Sequence, residues 1–592
     1  MKIRYFSRKL GMVTVLLCIL STGCKRDLLE QSTEIITEEI LFADSTLTVN
    51  FLNDLYAQTG QDVVVSRGQQ GASINSFYGN DWANLDCLTS NSISYWNDPQ
   101  SGWMTGSRTA ASTPWTNYYG EFYRRIRMAN LFVINVERTP ISAALKTRLI
   151  AEARYLKAFM YFALVRVHGG IMLMTDTPML IDDVVVYERD SYKDCIDYIL
   201  RELEEAMVNL PRQSQQLSAD YGRATVEACQ ALRARILITI ASPLYNGNSI
   251  ATSPEHRALL SYTENYDATL WQNAADACLS LINGGQFALV EDNRTRPGHG
   301  FWAQFIKGRR NSELIIPYMR PNSTEVESNQ FPPSKGGGQP KNTPSENLVR
   351  AFGMRNGLPI TDPNSGYDAQ NPFENRDPRF YYSVIYNGAR IFQSGFGTNL
   401  QVVNSYFDRV TGSPTRDGMQ TYVTRSGYFN RKMANDSTGT SVTVERSLPV
   451  IRYAEILLGY AEALNELDRV EEAVTYVNRI RRRAGIAEGS NGRFGIPVGV
   501  SKSALRTIIQ NEYRVEFFSE GHWYYDTRRW RTAEITEDEP VQGMRVVREA
   551  NGSYSYETVN VILSNFLPAM YFAPIPQTEI NKSATLIQNP GW

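Results

Sequence analysis

Two short stretches, Asn80-Asp81-Trp82 and Tyr95-Trp96-Asn97, set a flat aromatic ring beside amide or carboxylate groups. A sugar offers hydroxyls at its edge and C–H groups on its faces. A site for it therefore puts a ring under the face and Asn, Asp, Gln or Arg along the edge. Tyr78, Trp82, Trp96 and Trp103, with Asp81 and Asn97 among them, form one candidate set. Trp302 and Tyr318, near Arg320 and Asn322, form a second. Trp96 with Asn97 is the leading pair and Trp82 comes next, whereas Trp115, close to a helix, reads as packing. The competing reading is that each ring fills the core of its own loop.

Catalytic signals are weaker. The chain has no P-loop, no GxSxG and no HExxH, and its four histidines, His168, His256, His299 and His522, have no metal-ligand spacing. His168, at a helix end, reads as a cap. Residues 362–368 offer oxygen ligands in a calcium-like rhythm, but Phe373 stands at the twelfth place, where an acid is needed. A turn is the preferred reading, calcium the minor one, and no other cofactor is indicated. A glycosidase needs two opposed carboxylates in a cleft. No pair stands out among the 62 acids.

The N-terminus sets the compartment. Met1 to Lys9 carries four basic residues and no acid, and Leu10 to Leu20 is almost wholly apolar. That is the layout of an export signal and is too short to span a bilayer. Cys24 follows small residues as in a lipobox, although Leu20 lies one place further from it than usual. The reading is a signal peptide over 1–23 and a lipid on Cys24; a simple secretory signal is the alternative. Removing 23 of 592 residues leaves 569, with 56 basic against 62 acidic, a balance of −6. A mildly acidic chain has no electrostatic footprint for nucleic acid. Of the remaining cysteines, Cys195, Cys229 and Cys278 fall in apolar helical stretches and read as small hydrophobes, so a disulfide is permitted but not indicated.

These residues need elements to position them. The expected class is mainly α: tetratricopeptide-like helix pairs forming a scaffold, with a long irregular, loop-rich ligand-binding half. Helical spacing predicts a short helix over 51–58, a buried helix over 151–168 and others over 191–210, 225–241 and 271–283. Further helices are predicted over 451–467, 470–484 and 502–518. Ala461 and Ala473, twelve apart, permit the close crossing of a tetratricopeptide unit. Residues 60–118 and 291–447 lack helical period and read as long irregular insertions, which are often functional. The expected organisation is a tether over 24–50, an N-terminal region over 51–290 and a C-terminal region over 291–592 with an extended tail.

Ala151 to Met174, Gly222 to Thr225, Ala241 to Asn246, Arg376-Asp377-Pro378-Arg379, Arg452 to Glu455, Tyr460 to Ala463 and the ending Pro574 to Gln577 with Gln588 to Trp592 together resemble the SusD/RagB family. Glu512-Tyr513-Arg514 and Ser519-Glu520-Gly521 depart slightly from its pattern. The resemblance implies a non-enzymatic lipoprotein on the outer face of the outer membrane. It would capture oligosaccharides and deliver them to a SusC-like TonB-dependent transporter. A peptide ligand on the same architecture is the alternative, and a surface glycoside hydrolase the remote one. From the residues themselves, Arg376 and Arg379 are expected to pair with buried carboxylates such as Glu455 or Glu462. Arg452, Glu455 and Glu462 read as a salt-bridge set.

Overall fold

The computed structural model describes residues 37–57, 59–60, 85–94, 100–174, 188–247, 249–338, 340–392, 399–435 and 442–592. Its frame is a row of packed helices. Helix α1 is Ser45–Tyr56, α2 Thr116–Asn135, α3 Ala143–His168, α4 Tyr192–Asn209, α5 Val226–Ala241 and α6 Thr269–Gly284. Helix α7 is Tyr453–Glu466, α8 Val470–Arg483, α9 Lys502–Glu516 and α10 His522–Arg529. Neighbours in the series α2 to α8 pack on one another, so the expected pairs α3–α4, α5–α6 and α7–α8 are all present.

Local chemistry sets the helix ends. Ser191 Oγ accepts from the Asp194 amide at 3.0 Å and Thr225 Oγ1 from the Ala228 amide at 3.1 Å, each satisfying an orphan donor of the first turn. Gly169, at φ 81°, ends α3 where an L side chain would be strained. Most side chains of α3 from Leu149 onward are buried, as a helix apolar on several faces must be. Ala461 and Ala473 are fully buried where α7 crosses α8. Gly459 does the same for α7 against α5: a Cβ there would overlap Ile238.

The main hydrophobic core is continuous from α1 through α10 and runs across the expected boundary at residue 290. The folded body also begins earlier than the expected tether would allow. Residues Glu38–Ala43 form a helical turn, and Phe42 buries itself against Phe51 and Phe132. Asp44 then caps α1, accepting from Thr46 and Leu47 at 2.8 Å.

Strands are few. β1, Leu314–Tyr318, pairs antiparallel with β2, Leu448–Arg452, in the register Leu448↔Tyr318 and Arg452↔Leu314. Ile451 and Arg452, expected in a helix, thus belong to a strand that hands the chain directly to α7. β3, Val541–Arg548, and β4, Tyr554–Ile562, form a hairpin in the register Val541↔Ile562 and Arg548↔Tyr554. None of the expected elements covers this hairpin. Asn551-Gly552 between two alternating runs is its signal, with Gly552 at φ 85°.

The tail from Pro568, expected to be extended, includes the helical turns Pro568–Tyr571 and Gln577–Ile580, and it is stitched to the scaffold. Asn589 Nδ2 donates to His168 O at 2.9 Å and to Ala573 O at 2.7 Å. His168 itself is not a charged cap. Burial pushes its imidazole down to about 3, and its Nδ1 lies 3.1 Å from Pro574 O, so the neutral ring holds the tail.

Where α9, β1, β2 and the 376–379 turn meet, charges replace the apolar core. Arg452 reaches Glu520 at 2.7 Å and both Glu313 and Glu516 at 2.8 Å. Arg483 binds Glu313 at 2.8 Å and also pairs with Glu516. Arg379 does not pair with Glu455 or Glu462 as expected; it pairs with Asp377 at 2.7 Å, Glu512 at 2.6 Å and Glu516 at 2.9 Å. Nor do Arg452, Glu455 and Glu462 pair with one another. Glu455 binds Arg235 of α5 at 2.6 Å, and Glu462 binds Arg529 of α10 at 2.6 Å. The turns of a helix carry these side chains to different neighbours: Glu455 meets α5 through Arg235 and α10 through His522, and Glu462 meets α10 through Arg529.

Candidate functional site

Tyr78, Asp81, Trp82, Trp96 and Asn97 lie outside the described residues, and so does Cys24. The roots from which their segments leave the body are described. Gly60 is buried beneath the ring of Tyr318. Leu85–Leu88 is a buried 3-10 turn, and Ser92-Ile93 pairs with Thr343-Pro344. Between them the Ser90 amide donates to Glu537 at 2.5 Å and Arg514 Nε donates to Asn91 at 2.7 Å. Arg514 thus clamps the turn at Ser90-Asn91, which lies in sequence between the two aromatic stretches.

Tyr318 ends β1 and is half-buried. Its hydroxyl donates to Ala57 O at 3.2 Å, tying the strand to the end of α1. Burial raises the phenol's pKa, so the hydroxyl stays a donor. Beyond it the chain emerges onto a ledge. Met319 is exposed, Arg320 pairs with Glu325 at 2.7 Å, and Arg309 donates to Asn322 at 2.6 Å. Tyr318 therefore joins the foot of the first aromatic segment to a polar ledge in the second irregular region.

Trp302 and Trp103 are placed differently. Trp302 is 7% exposed; its Nε1 donates to Ala434 O at 2.9 Å and its ring stacks on Tyr382 with centroids 6.4 Å apart. It supports a surface without forming one. Trp103 is 1% exposed, stacked at 5.8 Å on Trp592 and edge-on to Trp115 at 6.2 Å. Both rings of that edge-on pair belong to the core beneath the tail. This matches the packing expected of Trp115, and it removes Trp103 from any surface a ligand could touch. Trp103 follows its neighbours in sequence but is buried because the tail folds back over it, a contact that no local pattern encodes.

A cleft of about 320 Å³ has Arg296, Arg355, Arg376, Tyr381, Tyr382 and Arg431 among its lining residues, and Tyr382 stacks on Trp302. Pro378 sets the first turn of the helix Pro378–Ser383, whose rings form one wall. The Arg296 guanidinium sits 5.2 Å from the Tyr382 ring and 6.0 Å from Trp302. The buried Arg376 guanidinium donates to the backbone carbonyls of Val349, Phe352, Gly353 and Pro372, and its amide to the Tyr381 hydroxyl. Burial lowers its pKa. Of this cleft, only the 376–379 motif was visible in the sequence.

A second cavity, between α5, α7 and α10, is lined by Arg235, Glu455, His522, Asp526 and Arg529. Its acids are committed. Burial alone would raise the Glu455 carboxyl, but Arg235 and His522 outweigh burial and hold it well below the usual carboxylate range. An acid so paired does not donate a proton near neutrality, which is the opposite of what general acid catalysis requires. The Asp362 and Asp368 side chains accept from the amides two residues on, at 2.8 and 2.9 Å, so this stretch is a pair of side-chain-capped turns.

Residues 302–592 match the family profile described as the SusD family, and residues 48–238 match one described as starch-binding associating with outer membrane. A SusD-like protein of Bacteroides ovatus is 33% identical over 445 residues, covering 74% of this chain and 68% of the relative. SusD-like protein P38 of Formosa agariphila is 25% identical over 433 residues, 70% of this chain and 72% of the relative. The crystal structure of a SusD-like protein from Bacteroides fragilis superposes with a TM-score of 0.73 at 23% identity, covering 94% of this chain and 99% of that one. Surface glycan-binding protein A from Bacteroides fluxus gives 0.58 at 17% identity, covering 93% and 99%. At these identities the structural likeness shows a shared fold.

Proposed function

This chain belongs to the SusD/RagB family, and from that premise we propose that it is a cell-surface, non-catalytic glycan-binding protein of the outer membrane. In this reading a lipid on Cys24 anchors it. It captures oligosaccharides and hands them to a SusC-like TonB-dependent transporter. The observation that carries the reading is the match of two family profiles, one described as starch-binding, over both halves of the chain. Glu455, held ionised by Arg235 and His522, is in keeping with a binder.

The ligand surface is assigned to the aromatic segments rooted at Tyr318. In this reading Trp96 with Asn97, then Tyr78, Asp81 and Trp82, supply rings and polar edges, and Tyr318 adds a further ring. Trp302 acts from beneath as a support, and Trp103 has no part in contact.

The test is an array of oligosaccharides and peptides probed with the mature protein, followed by calorimetry on the hits. Oligosaccharide binding weakened at least tenfold by Trp96→Ala, at unchanged Tm, is the expected result. Binding of peptides alone would overturn the glycan reading. Loss of stability with unchanged affinity would return Trp96 to packing.

A further inference from the structure

The sheet that holds the β3–β4 hairpin has two unlike edges. Its strands run in the order β4, β3, Phe407-Asp408, Ser413-Pro414. The Ser413-Pro414 edge is two residues long and contains proline, a usual protection against pairing with another chain. The β4 edge, Tyr554–Ile562, is nine residues long and has neither proline nor lysine.

The hydrogen bonds of β3 show which groups of β4 are free. The Gln542 amide donates to Asn347 Oδ1 at 2.8 Å and the Met544 amide to Ser426 O at 2.8 Å. Arg548 O accepts from the Arg409 amide at 3.0 Å. These groups point away from β4, so the residues opposite them, Asn560, Thr558 and Tyr554, exchange no hydrogen bonds across the hairpin. Tyr556, between them, has the same phase. The amides and carbonyls of these residues therefore face outward, and they have no partner among the described residues. Tyr554, Thr558 and Asn560 are exposed. Further along, Val561 O accepts from Arg425 at 3.4 Å, which closes the edge at that end.

The edge is also held firmly. Tyr556 packs on Phe373 and Tyr554 on Tyr406, each with ring centroids 5.6 Å apart. Its one acid, Glu557, lies 3.7 Å from Arg409 and 3.8 Å from Arg545, so the charge that could guard the edge is already neutralised.

The sequence of β4 matches itself. Run antiparallel about a twofold axis at Thr558, two copies set Thr558 opposite Thr558, Tyr556 opposite Asn560 and Glu557 opposite Val559. Thr–Thr pairs are favourable, and no like charges stand directly opposite. The outward groups of Tyr556, Thr558 and Asn560 are in phase to exchange about six hydrogen bonds across the axis. An axis at Glu557 would put acid against acid, so the register is set. A strand from an unrelated chain would need a sequence chosen to fit, whereas a second copy already has one.

We propose that β4 is a self-association edge, on which a second copy of this chain docks to make one sheet continuous across two molecules. A twofold contact of this kind is closed, so its product is a dimer and not a fibre.

The test is sedimentation equilibrium of the mature protein, in its Cys24→Ser form so that no lipid contributes. An interface built on one strand is below standard size, so a reversible monomer–dimer equilibrium is expected between about 1 and about 200 μM. The β4 amides should gain protection from hydrogen exchange as concentration rises, a readout that needs no variant. Thr558→Pro removes an outward N–H that the hairpin does not use, and should weaken dimerisation at least tenfold at unchanged Tm. Val559→Glu sets an acid against Glu557 of the second copy and should also weaken it, whereas Val559→Lys should not. A protein that stays monomeric through that range would overturn the inference. So would a dimer indifferent to both Thr558→Pro and Val559→Glu. Protection of β4 by an extended peptide bound to the monomer would overturn it too, giving the edge a different partner.

Discussion

Tyr318 covers Gly60 so closely that a Cβ on Gly60 would overlap the ring. One contact thus joins the foot of the first aromatic segment to the end of β1. Gly60→Ala is expected to cost about 1–3 kcal/mol, the usual range for overpacking a tight site, and to weaken glycan binding as well. Urea unfolding and calorimetry on the same variant check the two effects. A variant as stable as wild type would show that the ring moves aside freely.

The charge cluster around Arg452 gives a second expectation. Replacing one partner of a buried ion pair leaves the others uncompensated, typically at about 3–5 kcal/mol. Arg452→Met leaves Glu313, Glu516 and Glu520 with one fewer cation. It should destabilise by that amount in denaturant titration, and a change below about 1 kcal/mol would contradict the cluster's role.

Acid should act through the same cluster. Burial would raise the Glu516 carboxyl, but Arg483, Arg452 and Arg379 outweigh it and bring it to about 2 from an ordinary 4.5. A depressed folded-state value means that its contribution is present above pH 4.5 and is lost as pH falls towards 2. Thermal unfolding between pH 5 and pH 2 should show a steep loss that Glu516→Gln flattens.

His522 acts on the opposite side. Burial lowers its pKa, but Glu455 at 3.5 Å and Asp526 at 3.6 Å outweigh burial and raise it above the ordinary 6.5. Its contribution is complete below pH 6.5 and disappears as pH climbs through the folded-state value. Stability measured from pH 6 to pH 9 should therefore fall in wild type and stay flatter in His522→Gln.

Asn589 carries the last expectation. Its amide satisfies the carbonyls of His168 and Ala573 in the core. Asn589→Ala takes that donor from the Ala573 carbonyl, while His168 O keeps the Arg189 Nη2 donor at 2.9 Å, so the expected cost is about 1–3 kcal/mol for one buried group. Hydrogen exchange should show the final turn of α3 opening faster, and unchanged protection there would refute the link.

The scaffold was readable because helices announce themselves locally. Ser191, Thr225, Pro211 and Gly169 mark ends that the structure reproduces within a residue or two. Partners were not readable. Arg379 meets Glu512 and Glu516 from more than a hundred residues away, and Trp103 meets Trp592 only after the tail returns. The cleft escaped notice for the same reason, since Arg296, Arg355 and Arg431 converge from three distant segments. The β3–β4 hairpin is the exception: its turn signal lay in plain view at Asn551-Gly552.

Among the described residues Cys87, Cys195, Cys229 and Cys278 are all buried, and burial pushes Cys195 up to about 12 and raises Cys229 and Cys278 above their ordinary value. Their consequence is kinetic. A thiol reagent attacks the thiolate, so these side chains are silent until the packing around them opens. Cys87 lies beside the root of the aromatic segments, Cys195 on α4, Cys229 on α5 and Cys278 on α6. The described residues therefore carry four built-in clocks, and the order in which they are labelled reads out the order in which their regions come apart.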